Sequence, residues 1–173
     1  MKIKWLGHAS FLITLDSGNS IITDPYAPNP RLAYSEIKES ADIVTVSHEH
    51  GDHNNVAAVK KSPQVLRNSA SVKGINFKAV QAFHDTAGGQ QRGKNTIFCI
   101  EAEGLRICHL GDLGHSLSSQ QIDDMGRVDV LFVPVGGNYT IDAQAASELV
   151  NKLGARIVIP MHYKTDRCPE FPV

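Results

Sequence analysis

The segment His48-Glu49-His50-Gly51-Asp52-His53 follows directly on Asp42-Ile43-Val44-Thr45-Val46. A β-branched run of that kind reads as a buried strand. Any fold of this chain must therefore present three imidazoles and a carboxylate at the end of a rigid element. In an extended backbone, residues i and i+2 share a face, so His48 and His50 can chelate one ion together. Gly51 permits a sharp turn. The turn carries Asp52 and His53 to a neighbouring position, where they can bind a second ion. Imidazole with carboxylate suits Zn²⁺, Fe or Mn²⁺ rather than Ca²⁺ or Mg²⁺.

The rest of the chain reads as one domain over 1–173. Strand-like runs fall at 2–6, 11–15 and 20–24, with Asp16-Ser17-Gly18-Asn19 as a turn. Pro25, Pro28 and Pro30 mark a loop. A short helix is expected at 56–60. Strands are expected at 77–83, 96–101 and 105–109, the last two joined by Glu103-Gly104. Ser118 and Gln121 have capping-box spacing for a helix at 118–125, stopped by Gly126. A buried strand follows at 128–135. Asp142 is an N-cap candidate for a helix to Leu153, with Ala146, Leu149, Val150 and Leu153 on one face and Gly154 at its end. The final strand, 156–160, leads into His162. A β-rich half followed by strand–helix alternation predicts two sheets with helices packed outside.

Composition sets outer bounds. With 173 residues, 42% hydrophobic and 20% charged, the chain can bury a core. A net charge of −1 argues against a large electrostatic footprint for nucleic acid or an anionic membrane. No apolar stretch reaches the length of a membrane span. Three cysteines include no CxxC pair, and Cys99 and Cys108 sit in apolar runs, so reduced core thiols and a cytoplasmic location are expected. Eight histidines stand at 8, 48, 50, 53, 84, 109, 115 and 162, several just past the end of an apolar strand.

H-x-H-x-D-H at a strand end resembles the signature of the metallo-β-lactamase superfamily. Leu6-Gly7-His8-Ala9-Ser10-Phe11 and Ile22-Thr23-Asp24-Pro25 resemble a small group of metal-dependent hydrolases related to ascorbate-6-phosphate lactonase. So do the segments His109-Leu110-Gly111-Asp112-Leu113-Gly114-His115, Val135-Gly136-Gly137-Asn138-Tyr139-Thr140 and Ile159-Pro160-Met161-His162-Tyr163. The resemblance implies an α+β fold, the αββα sandwich of two mixed β-sheets with helices on the outer faces. It implies two divalent ions, zinc in the first instance, with Mn or Fe also compatible. His48, His50 and His84 would hold the first, Asp52, His53 and His162 the second, and Asp112 would bridge both.

Around these, Asp24 is expected to accept an N–H from a ligating imidazole. His109 reads as structural, and His8 as either lining the site or satisfying the core. Tyr139, Tyr163 and Lys164 are substrate-contact candidates. The mechanism implied is attack by a metal-bound hydroxide on a small ester, lactone or phosphoester. Asp52 would orient the nucleophile and His115 would protonate the leaving group. The expected partner is a small-molecule substrate, without nucleic acid or membrane. The chain ends at 171–173, where related proteins continue, so one edge of the site is expected to be open or covered by a second subunit of a homo-oligomer. Three alternatives are a phosphodiesterase or nuclease on the same fold, a redox di-iron protein, and a non-catalytic metal-binding domain. Nucleases of this kind usually carry an added binding domain. The di-iron proteins place Glu where His50 stands.

Overall fold

Alternating apolar and polar residues fold the start of the chain into an antiparallel meander. In a computed structural model describing residues 1–170 and 172, β1 (Lys2–Gly7) pairs with β2 (Ser10–Thr14), and β2 with β3 (Ser20–Thr23). β4 (Ile43–Thr45) and β5 (Gln64–Leu66) then add in parallel, giving a five-stranded mixed sheet in the order β1-β2-β3-β4-β5. The second sheet runs β11-β10-β9-β8-β7-β6. Its strands are β6 (Ala70–Val72), β7 (Ile75–Phe83), β8 (Lys94–Ala102), β9 (Leu105–His109), β10 (Val130–Pro134) and β11 (Ile157–Met161). Its β9, β10 and β11 are mutually parallel, and its remaining neighbours are antiparallel. The chain is thus an α+β sandwich of two mixed sheets, as expected.

Three apolar layers hold it together. Between the sheets lie Phe11, Ile13, Ile21 and Ile43 from one side and Phe77, Phe98, Ile107 and Phe132 from the other. Phe11 stacks on Phe132 with ring centroids 4.2 Å apart. The outer face of the second sheet is covered by α1 (Ser119–Met125) and α2 (Ala143–Leu153), through residues such as Met125, Ala146 and Leu149. Ser118 and Gln121 form the predicted capping box, and Asp142 caps α2 through the Ala145 N–H. The outer face of the first sheet is covered differently. Tyr26, Leu32, Tyr34 and Ile37 from the proline-punctuated loop pack there with Val59 and Cys168. The helix expected at 56–60 is a single 3-10 turn, Val56–Ala58.

Two short strands lie outside the sequence expectations. β5 and β6 have three residues each and lie at sheet edges, where strands are commonly short and lack a period long enough to read. The cysteines also depart from expectation. Cys99 and Cys108 are joined as a disulfide rather than held as separate thiols. The β8–β9 hairpin turns at Glu103-Gly104 and sets the two residues directly opposite, with Cα atoms 4.2 Å apart. Cys168 is free and buried. No described helix is long and apolar enough to cross a membrane. Phe171 and Val173, at the chain end where an open or subunit-covered edge is expected, lie outside the described residues.

Strand direction positions the site. In the first sheet β1, β3, β4 and β5 all point the same way, and in the second β7, β9, β10 and β11 do. Each candidate residue follows a strand of this set. His8 follows β1, Asp24 follows β3, His48 to His53 follow β4, His84 follows β7, Asp112 lies beyond β9, and His162 follows β11.

Candidate metal centre

The loops at these strand ends converge. The potential donor atoms of His48, His50 and His84 lie within 4.8 Å of one another, as do those of His8, Asp52, His53 and His162. Between the two groups stands the buried carboxylate of Asp112. Its Oδ2 is 3.1 Å from His162 Nε2, 3.2 Å from His53 Nε2, 3.2 Å from His84 Nε2 and 3.8 Å from His48 Nε2. His48 Nε2 and His50 Nδ1 are 3.1 Å apart.

These separations match the edges of a coordination polyhedron. Donors at 2.0–2.1 Å in tetrahedral array sit about 3.3 Å from each other. Asp112 Oδ1 is buried with no hydrogen-bond partner among the described residues, a costly arrangement unless an ion or another group satisfies it. The donor set and its crowding fit divalent metal ions.

The backbone is shaped to allow this approach. Gly111 has φ +55°, and a Cβ there would collide with Asn95 Oδ1 and lie 2.6 Å from Ser47 Cβ. The closeness lets Asn95 accept the Asp112 N–H at 3.0 Å while its amide donates to Leu110 O at 2.8 Å. Behind the cluster, Asp24 accepts the Ser47 N–H at 2.8 Å and the Ser47 hydroxyl at 2.5 Å, and faces His53 Nδ1 at 3.0 Å. With the hydroxyl proton committed to Asp24, Ser47 Oγ accepts from His48 Nδ1 at 2.9 Å. One aspartate thereby orients two imidazoles, turning the Nε2 of each towards the cluster. His109 donates from Nε2 to Ala9 O at 2.8 Å and accepts the Gly111 N–H on Nδ1 at 3.2 Å, a structural role. Asn95 and Ser47 escaped the sequence reading. Ser47 adjoins the motif, but Asn95 is only a polar residue at the start of an apolar strand.

His115 is a correction. It is not part of the cluster. Its Nε2 accepts the Phe83 N–H at 3.1 Å and its Nδ1 donates to Ser116 O at 2.8 Å. Both nitrogens are engaged by backbone, of Phe83 and Ser116. The Tyr163 ring stacks on Trp5, with centroids 6.0 Å apart.

A cleft of about 440 Å³ opens beside the His48–His50 side of the cluster, lined also by Ser47, Arg67, Arg92 and Lys94. Arg67 is paired with Glu49 at 2.6 Å. Arg92 lies over the Tyr139 ring, 3.9 Å from its centroid. Asp85 accepts four backbone N–H groups between Ala87 and Arg92, which fixes the loop that carries Arg92.

Residues 2–162 match the β-lactamase superfamily domain family. The chain belongs to the metallo-β-lactamase superfamily. Among its relatives are metal-dependent hydrolases of Pelotomaculum thermopropionicum, 31% identical over 95% of this chain and 85% of that one, and of Methanospirillum hungatei, 30% identical over 95% and 84%. A crystal structure from Thermotoga maritima, described as a Zn-dependent hydrolase of the superfamily, superposes with TM-score 0.78 at 43% identity, covering 95% of this chain and 76% of that one. One from Parabacteroides distasonis, described as a metal-dependent hydrolase, gives 0.76 at 25% identity, covering 95% and 84%. This member of the superfamily is a metal-dependent hydrolase, and its histidine–aspartate clusters serve divalent metal.

Burial and neighbouring charge set the protonation of the metal-free centre. Burial, then His53, pushes the His48 imidazole down to about 3. Burial, then His162, pushes His8 down to about 4. Burial alone would lower His53 as well, but Asp112, Asp24 and Asp52 together hold it well above the usual histidine range. An unfolded histidine titrates near 6.5, so between about pH 6.5 and pH 4 the unfolded chain binds more protons than the folded one at His48 and His8. Acidification through that window therefore destabilises the metal-free protein. His53 has the opposite sign: its contribution is complete below about pH 6.5 and is lost as pH rises through its higher folded value. Urea unfolding of EDTA-treated protein should show highest stability slightly above about pH 6.5 and a falling midpoint towards about pH 4.5. A midpoint unchanged across that range would contradict neutral His48 and His8 beside a charged His53.

Proposed function

We propose that the chain is a dinuclear hydrolase of small esters, lactones or phosphoesters. The observation that carries this reading is the position of Asp112 Oδ2, within 3.1–3.2 Å of His84 in one donor group and of His53 and His162 in the other. His48, His50 and His84 would hold one ion, Asp52, His53 and His162 the second, and Asp112 would touch both. Two such ions, when bound, lower the pKa of water and polarise the scissile bond.

The protein's own side chains do the rest. Asp24, directly at His53 and through Ser47 at His48, would engage the Nδ1 of each imidazole and leave its Nε2 to bind metal. Burial alone would raise the Asp52 carboxyl, but His8 and His53 hold it below the usual carboxylate range. It therefore stays ionised and able to accept a proton from attacking water. The cleft volume matches that of small-molecule sites. With Arg67 neutralised by Glu49, Arg92 and Lys94 leave the cleft wall positive, which favours a substrate carrying negative charge.

Stripped protein reloaded with Zn²⁺, Mn²⁺ or Fe²⁺ should take up two equivalents per chain. It should then hydrolyse at least one of p-nitrophenyl acetate, an aliphatic lactone and p-nitrophenyl phosphate. Saturation at one equivalent, or no turnover across that panel with any of the three metals, would refute the proposal.

A further inference from the structure

His8 is not among the donors of the dinuclear reading, yet the chain goes to some length to aim it. It sits in the two-residue turn between β1 and β2, where the pairing register shifts between Trp5 and Gly7. Its own φ is +51°, in the left-handed region that residues with a Cβ enter rarely. Gly7 before it has φ +133°, and a Cβ there would lie 2.8 Å from the Tyr34 ring. Trp5 Nε1 donates to His8 O at 3.0 Å and His109 Nε2 to Ala9 O at 2.8 Å, so the turn is clamped from both sides. The outcome is a buried imidazole with its Nε2 3.3 Å from Asp52 Oδ2 and its ring centroid 4.3 Å from that of His162 and 5.1 Å from that of His53. Strained backbone of this kind persists where the surroundings over-determine it, characteristically at functional sites.

We propose that His8 is a fourth side-chain donor to the deeper metal position, beside Asp52, His53 and His162, an inference that rests on the dinuclear reading above. The four donor atoms lie within 4.8 Å of one another, as do those of the cleft-side group of His48, His50 and His84. The two positions then differ. The deeper one has four side-chain donors besides Asp112, and the cleft-side one has three. The cleft-side position keeps more room for substrate, and it borders the open cleft.

Two variants separate ligation from mere support of Asp52. His8→Asn tolerates positive φ and so preserves the turn, but is too short to reach the cluster. His8→Gln keeps an N–H within reach of Asp52 without an imidazole nitrogen. Stepwise Zn²⁺ and Co²⁺ titration against a chelator should give two equivalents for the wild type. In both variants the affinity for one equivalent should fall by at least ~10–100-fold while the other is unchanged, and the d–d absorption of the Co²⁺-loaded protein should change. Normal affinity in His8→Gln with loss only in His8→Asn would show that His8 positions Asp52 and does not bind metal. Two equivalents with unchanged affinity and spectrum in both variants would also overturn the proposal. A wild type that saturates at one equivalent would instead sink the dinuclear reading on which it rests.

Discussion

Asp112→Asn is expected to lose both metal equivalents and at least about a thousandfold in kcat/KM, equivalent to about 4 kcal/mol of transition-state stabilisation. The substitution keeps the volume and one oxygen but removes the charge that four imidazoles share. In the proposed assignment every other candidate ligand serves one ion. Asp112 Oδ2 approaches members of both, at 3.1–3.2 Å for three of them, so no single other change should empty both positions. The metal-free variant should differ too. Asp112 is the foremost of the charges holding His53 up, so in Asp112→Asn the His53 imidazole should titrate at lower pH than in the wild type. NMR titration of the metal-free proteins reads that shift, and metal analysis reads the stoichiometry. Retention of two ions in Asp112→Asn would remove the basis for a shared ligand.

Asp24 carries the second large effect, on stability as well as on metal. It is fully buried and binds the Ser47 N–H, the Ser47 hydroxyl and His53 Nδ1. Alanine there strands a backbone donor, a hydroxyl and an imidazole out of contact with water. Breaking one side of a buried charge pair costs about 3–5 kcal/mol, a large part of the ~5–15 kcal/mol that typically holds a domain folded. For a domain of this size the melting temperature should fall by roughly 6–20 °C. Asp24→Asn is more discriminating. Its carbonyl can keep the Ser47 N–H, while its amide donates towards His53 Nδ1 and drives the imidazole proton to Nε2, the atom facing Asp112. Metal affinity should then fall by ~10–100-fold with a smaller loss of stability than in Asp24→Ala. Equal metal affinity in Asp24→Asn and wild type would refute the tautomer argument.

Both experiments probe a site whose parts are unequally visible in the sequence. The hexapeptide, Asp24, Asp112 and His162 can be read because each follows an apolar run that could be nothing but a strand, and a side chain just past a strand end has few places to point. The caps at Ser118 and Asp142 are visible for the same reason, since capping is a matter of three or four consecutive residues. His115 misleads because it belongs to the same segment as Asp112. Nearness along the chain says little once a turn has intervened, and its ring faces Phe83 and Ser116 instead. The pairing of Cys99 with Cys108 is within reach of the sequence. Reflection about Glu103-Gly104 puts them opposite each other, and only the absence of a familiar cysteine spacing hides it.

Local order set what the sequence determined alone: where strands end, which residues cap the helices, and that imidazoles and carboxylates gather after β4. Those outcomes depend on backbone periodicity and contacts over a few residues. Tertiary structure decided which of them meet. That His8 reaches Asp52, that Asn95 holds Asp112, and that one carboxylate stands between two groups of histidines all follow from two sheets packing with their strands in a common sense. Such contacts join residues far apart along the chain. Their geometry is fixed by how Phe11, Phe132 and the rest of the inter-sheet layer interlock, which no stretch of chain specifies by itself.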